Sequence, residues 1–211
     1  MRMTKNSPYP STVEKLIDEF AKLPGIGKKT AERLAFHILS TPRDSAMALA
    51  LAIRDARKNL RACSRCYHIA EGELCAICAD PEREVEQICV VELPRDALAL
   101  EKADIYNGVY HILQGRLAPA DGIGPDNLRI KELVARMRSA AEAGRGTREI
   151  ILATRPSAEG DATAEYLSTL IREKFPDVRV TRLARGLASG AELENAAPSS
   201  LVFAFQGRRQ D

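Results

Sequence analysis

The sequence has no apolar run approaching the roughly 20 residues of a membrane-spanning helix, which excludes an integral helical membrane protein. Its first ten residues, MRMTKNSPYP, lack the apolar core of a secretory signal, so the chain is expected to be cytoplasmic, where thiols stay reduced. It also lacks an excess of charge: the formal balance of +2 identifies no partner. No internal repeat or low-complexity segment is present. The three histidines, His37, His68 and His111, form no catalytic constellation. The glycine-rich stretch Gly122-Ile-Gly124-Pro-Asp126 lacks the Lys-Ser/Thr of a phosphate loop and is read as a structural loop. What is there, 211 residues of which 45% are apolar and 28% charged, is enough for one good core plus smaller modules.

Of five cysteines, four fall in one stretch: Cys63, Cys66, Cys75 and Cys78, spaced C-x2-C-x8-C-x2-C. Two thiolate pairs on tight turns can meet around one tetrahedral Zn2+. Two disulfides are the alternative, disfavoured by a reducing compartment. With all four ligand places filled by sulfur, the zinc, one per chain, is expected to be structural. Cys89, in the apolar run ICVV, reads as a buried small hydrophobe.

Charge is unevenly distributed. Residues 1–70 hold 13 Lys and Arg against 6 Asp and Glu, whereas 71–211 hold 18 against 23. A polyanion is expected to choose the first part. Ser11 and Glu14 have the spacing of a capping box, and Val13, Leu16, Ile17, Phe20 and Leu23 then recur at helical intervals up to Pro24-Gly25. A second helix is expected from about Lys28 to Ser40, with Ala31, Leu34, Ala35, Ile38 and Leu39 on one face, and an Ala-rich third over about 45–61. Beyond Pro81, buried strands at 87–92, 109–113 and 149–154 alternate with helices at 94–102, 128–143 and 162–175, and Val178–Leu183 and Leu201–Phe205 close the series. That alternation predicts an α/β fold with a parallel or mostly parallel sheet.

The segment LPGIGKKTAERLA reads as two helices joined by a PGIG turn. Gly25 and Gly27 permit positive φ and close approach, and Ile26 is expected to plug into the helices below. The turn feeds a helix N-terminus, whose free N–H groups and dipole suit an anion. Lys28 lies on the turn, and Lys29 and Arg33, at i and i+4, share a face. Such a set holds a nucleic-acid backbone without reading bases; an αα-corner with solvated lysines is the alternative. The segment resembles the helix–hairpin–helix DNA-binding motif. One copy reaches few phosphates, so several copies or another DNA surface are expected.

In the second half, Glu92 ends the first strand, and Arg155, Ser157, Glu159 and Asp161 follow a later one. These are the carboxyl ends of strands, where open α/β sheets build sites. This half resembles the Toprim domain of topoisomerases and primases. The resemblance implies a metal-binding glutamate at Glu92, but the D-x-D pair of catalytic members is replaced by Arg155 and Ser157. Mg2+ wants hard oxygen ligands in near-octahedral geometry, so a two-metal mechanism is poorly supported. The sheet is read as a binding platform, with Glu92, Glu159 and Asp161 as an acidic rim for a basic partner; a solvated loop, with Asp161 near a helix start, competes with that reading.

The order of parts, with LPGIGKKTAERLAFHIL, ICVVE, DGIGPD, and ILAT followed by EGDAT, resembles the RecR family of bacterial recombination proteins over nearly the whole chain. Arg155 departs from the small or polar residue usual there. The resemblance implies no enzyme but a DNA repair and recombination mediator, acting with RecO and RecF at single-stranded gaps and duplex junctions to load RecA. It implies a ring-like homotetramer associated with the nucleoid in action. DNA contacts carry over to Lys29 and Arg33, supported by Gly25, Gly27 and Lys28. RecO docking is assigned to the face around Glu159. The modules are drawn as 1–55 (helix–hairpin–helix), 56–80 (zinc finger), 81–180 (Toprim-like) and 181–211 (a C-terminal segment completing the α/β domain). A Mg2+-dependent nuclease or primase-like enzyme and a general zinc-stabilised DNA-binding module stay open as alternatives.

Overall fold

A computed structural model of the chain describes residues 8–208. The N-terminal stretch read above for a secretory signal lies largely outside them. Two compact units divide at Leu60/Arg61.

The first unit holds helices α1 (Ser11–Ala21), α2 (Lys28–Ser40) and α3 (Arg43–Asn59). Ile17 of α1 packs on Ala31 and Ala35 of α2, with Val13, Leu16, Phe20 and Ile26 around them. The two alanines let the helices approach closely, and Ile26 anchors the turn as its apolar character predicts. Leu23 and Leu39 stay about half exposed, off the packed face. The Ser11/Glu14 capping box does not form. Pro10 takes the extended N-cap place and makes no side-chain cap, so Ser11 is already inside the helix. Pro10 favours this because its fixed φ suits the residue at a helix start. None of the residues of α3 is buried.

The second unit begins with a two-stranded antiparallel hairpin, β1 (Arg61–Ala62) and β2 (Ile69–Ala70), and the short helix α4 (Ala76–Ala79). There follow β3 (Glu84–Val91), α5 (Pro94–Ala103), β4 (Gly108–Ile112), α6 (Ile130–Glu142), β5 (Glu149–Leu152), α7 (Ala158–Lys174), β6 (Arg179–Arg182) and α8 (Pro198–Gln206). The four longer strands form one sheet in the order β4-β3-β5-β6, every pair parallel. Successive residues of β3 face opposite sides, as the period of a strand requires. Ile88 and Val90 enter a core with Leu133 and Met137 of α6 and Leu167 and Ile171 of α7. Cys89 and Val91 join Ala97 of α5, Tyr110 and Ile112 on the other face. Cys89 is buried, as expected, and burial pushes its thiol up to about 12.

Two elements differ from the sequence expectation. The apolar run Leu201–Phe205 is helical, because a short apolar run does not by itself distinguish strand from helix and Pro198 suits a first helical turn. Helix α7 starts at Ala158 rather than Ala162: Ser157 caps it by accepting the Gly160 N–H at 3.2 Å, and Glu159 and Asp161 favour the positive end of its dipole. The loop Gly122–Asp126 is structural, closed by the Ala118–Ile123 bridge and by Asn127 Oδ1 accepting the Gly124 N–H at 2.8 Å.

Candidate functional site

The four thiols of the hairpin module converge. The Sγ atoms of Cys63, Cys66, Cys75 and Cys78 all lie within 4.8 Å of one another, and all four residues are buried. Zinc–sulfur bonds of about 2.3 Å put tetrahedral ligand sulfurs about 3.8 Å apart, and Cys66 and Cys75 stand at 3.5 Å. The local chain makes this possible. Tyr67 adopts a left-handed φ of 65°, which turns the backbone so that the His68 N–H points at Cys66 Sγ, 3.4 Å away. The thiols perturb one another strongly: contact with Cys75 pushes Cys66 up, and contact with Cys66 draws Cys75 down. Four such groups fit a structural zinc, which needs them as thiolates; once bound, it supplies a cross-link and no open coordination place. His68 is buried beside the module, its Nδ1 at 3.2 Å from the Ile69 carbonyl. The module is fixed to the sheet edge: the Ile112 N–H of β4 donates to the Cys66 carbonyl at 2.8 Å, and Gln114 Nε2 donates to the Tyr67 carbonyl at 2.7 Å.

On the helical unit, the PGIG turn is closed by the Ile26 N–H donating to the Leu23 carbonyl at 3.0 Å. Gly25 takes φ +79°, where a side chain is disfavoured. Gly27 does not: it is the extended N-cap of α2, at φ −79°, and a Cβ there would meet open space, so neither handedness nor crowding within the described residues requires a glycine. The first α-helical bond joins the Ala31 N–H to the Gly27 carbonyl, which leaves the N–H groups of the preceding turn without intrahelical acceptors. No side chain caps them. Lys28, Lys29 and Arg33 are exposed and make no ion pair among the described residues. Lys29 and Arg33 flank a shallow depression of about 400 Å³ with Thr30, Glu32 and Phe36. Glu32 is engaged by the Tyr9 hydroxyl rather than by these cations.

The sheet's carboxyl edge forms a cleft where the strand order switches, between β3 and β5. Glu92 follows β3 directly, but it is not on a rim: its side chain is 1% exposed. Its Oε1 accepts the Arg155 backbone N–H at 2.8 Å, and its Oε2 faces Arg116 Nη1 at 3.5 Å. The Arg155 guanidinium therefore does not compete for Glu92; its backbone does the holding. Gly160 permits this approach, since a Cβ there would collide with the Arg155 carbonyl oxygen and stand 3.1 Å from Glu92 Oε1. Asp161 is taken up by two arginines, Arg182 at 2.5 Å and Arg185, whose Nη1 donates to Oδ2 at 2.9 Å. Chiefly Arg185, then Arg182, holds its carboxyl below the usual carboxylate range. Glu159 is about half exposed; its own backbone N–H and the Ser157 hydroxyl lower its pKa. The acidic rim read from the sequence is thus one exposed carboxylate, one neutralised and one buried.

A divalent ion does not fit these donors. Arg155 and Ser157 offer no carboxylate, and the oxygens of Glu92 and Asp161 already face protein donors. Arg116, Arg182 and Arg185, the residues that decide this, were missed by sequence reasoning. Arg116 is positioned by the loop after β4: the Gly115 N–H donates to the Glu92 carbonyl at 3.0 Å, and the Leu117 N–H donates to Thr163 Oγ1 of α7 at 2.9 Å.

Among the described residues no helix is long and apolar enough to cross a membrane. Family descriptions match all three modules: the RecR helix-hairpin-helix over residues 13–57, the RecR four-cysteine zinc finger domain over 60–80 and the Toprim domain over 86–184. A recombination protein RecR of Rhodopirellula baltica is 50% identical over 204 residues, 97% of this chain and 99% of that protein. One of Chloroflexus aurantiacus is 51% identical over 199 residues, 94% of each chain. One of Syntrophobacter fumaroxidans is 47% identical over 204 residues, 97% of this chain and 98% of that protein. With a four-cysteine structural zinc finger between a helix–hairpin–helix and an all-parallel Toprim sheet, and with relatives this similar along nearly its full length, the chain belongs to the RecR family of recombination proteins.

Proposed function

We propose that the chain is a recombination mediator, a DNA clamp without sequence preference that acts with RecO and RecF at single-stranded gaps to promote RecA loading. One observation carries the DNA reading: free N–H groups at the start of α2 stand beside three exposed cations with no ion pair among the described residues. Lys29 and Arg33 contact phosphates, Lys28 flanks them, and the backbone from Gly25 to Lys28 donates to them. Nothing in this turn presents the paired donors and acceptors that read a base edge. That Glu92 and Asp161 already face protein donors, with only Glu159 of the three exposed, supports a binding platform rather than a Mg2+-dependent enzyme.

One hairpin reaches few phosphates, so affinity comes from several copies on one DNA. Two apolar surfaces support assembly with further copies of the chain. On α3, Met47 and Leu51 are exposed on one side and Leu49 and Ile53 on the opposite side, and a helix apolar all round is normally covered. On α8, Val202 and Phe205 are exposed. Two unlike apolar helices suit a closed ring of four, each chain meeting different neighbours through each helix. Of the three carboxylates that the sequence offers to a basic partner, Glu159 is retained as the RecO contact. Glu92 is set aside because it is buried, and Asp161 because two arginines hold it.

The test is RecA filament assembly on gapped DNA coated with single-strand-binding protein, with RecO and RecF present. Lys29→Ala/Arg33→Ala is expected to abolish the stimulation while leaving the oligomer intact in sedimentation. Glu159→Lys is expected to lose RecO binding while keeping DNA binding. Full stimulation by the double variant contradicts the DNA assignment, and an intact RecO complex with Glu159→Lys contradicts the docking assignment.

A further inference from the structure

At the carboxyl edge of the sheet a guanidinium stands between two carboxylates. Arg116 faces two carboxylates at once: its Nη1 lies 3.5 Å from Glu92 Oε2 and its Nε lies 3.9 Å from Glu159 Oε2. That Nε is buried and has no hydrogen-bond partner, so the pairing is one of charge rather than of directed bonds. The position is built. The loop that carries Arg116 is tied to the Glu92 backbone on one side and to Thr163 of α7 on the other. Thr163 Oγ1 in turn donates to the Glu159 carbonyl at 2.6 Å, so one residue links the Arg116 loop to the backbone of Glu159. Glu92 is almost fully buried and sits at the carboxyl end of the first strand of the sheet, where a buried anion requires a counter-charge.

We propose that Arg116 is a resident counter-cation: its guanidinium supplies, between Glu92 and Glu159, the positive charge that a divalent ion supplies in a metal-dependent cleft, and so excludes the ion. A guanidinium cannot be lost by deprotonation at physiological pH, and it cannot be removed by chelation. Its single charge permanently offsets one of the two carboxylate charges but offers no Lewis acid and no exchangeable water. The cleft becomes a fixed structural element whose shape is independent of metal supply. Removing the guanidinium should expose a latent site of two hard carboxylate ligands, which suits Mn2+ or Mg2+.

The experiment is Mn2+ binding, followed by electron paramagnetic resonance and by thermal unfolding, on the full-length zinc-loaded protein. Wild type is expected to bind no Mn2+ in the cleft and to show no Tm shift. Arg116→Ala is expected to gain one Mn2+ per chain, competed by Mg2+, with Tm rising by about 3–6 °C at about ten times the dissociation constant. Adding Glu92→Gln to Arg116→Ala is expected to remove that gain. Arg116→Met keeps the packing of the side-chain stem and serves where Arg116→Ala does not fold. Two results overturn the proposal. One is a wild-type Mn2+ site that Glu92→Gln abolishes. The other is a folded Arg116 variant that binds no more Mn2+ than wild type.

Discussion

Lys28, Lys29 and Arg33 stand exposed beside the start of α2 with no ion pair among the described residues, whereas Arg116, Arg182 and Arg185 each face a carboxylate in the cleft. Among the described residues, then, the cations beside α2 have their charge unpaired, whereas those of the cleft, Arg155 apart, have theirs paired. A phosphate that meets α2 displaces solvent and counterions alone. A phosphate that meets the cleft must first break existing pairs. For Asp161, partly exposed, that cost is of the order of a surface ion pair, about 0–1 kcal/mol each. For Glu92 it is larger, because a buried carboxylate left without its partners costs about 3–5 kcal/mol. Counting basic residues does not separate these regions; counting unpaired ones does.

The zinc module gives the largest expected effect. Structural zinc contributes roughly 10–16 kcal/mol of apparent binding free energy to small modules, and this one is hydrogen-bonded to edge strand β4. Chelation, or Cys66→Ser, is expected to unfold residues 61–80 and to open β4 to hydrogen exchange, while α1 and α2 keep their protection. Exchange rising equally in both units would contradict that division.

Next comes the cleft. Glu92→Ala is expected to destabilise the sheet unit by about 3 kcal/mol, since it strands Arg116 and the Arg155 N–H. Glu159→Ala, at an exposed carboxylate, is expected to change stability by less than about 0.5 kcal/mol. Denaturant midpoints compare the two, and equal losses would put Glu92 and Glu159 in the same environment.

Acid gives a smaller effect, confined to the sheet unit. His111 is fully buried in β4, with Nε2 at 2.7 Å from the Arg129 carbonyl, and burial pushes its pKa down to about 4. The folded state therefore holds it neutral while the unfolded chain protonates at about pH 6.5. Its contribution is whole above that pH and drains as pH falls toward 4, by about 1 kcal/mol at about pH 5.5. Stability measured from about pH 7 down to about pH 4.5 should fall more steeply for wild type than for His111→Gln, which has nothing to titrate there. Parallel curves would remove His111 from the account.

Much of this was legible because the signals are local. Four cysteines within one short stretch, and PGIG followed by Lys28, Lys29 and Arg33, carry their geometry in their spacing. The alternation of buried strands and helices points to the sheet in the same way. The cleft was not legible, because its chemistry is a matter of long-range pairing. Glu92 reads as an exposed strand-end carboxylate until the loop after β4 lays Arg116 against it. Asp161 reads as free until Arg182 and Arg185 arrive from β6 and beyond. The earlier start of α7 had a signal, the cap Ser157 with acidic residues after it, but Gly160, a poor helix former, weakens that signal. Its purpose is close approach: it makes room for Glu92 and the Arg155 carbonyl.

The most direct measurement is the salt dependence of binding to a labelled gapped duplex by wild type, Lys29→Ala/Arg33→Ala and Arg182→Ala/Arg185→Ala. The account predicts weaker binding and a shallower log–log slope for the first double variant, by about 0.9 for every phosphate no longer neutralised, and a slope unchanged for the second. A slope that falls with Arg182 and Arg185 but not with Lys29 and Arg33 would place DNA in the cleft and contradict the central claim.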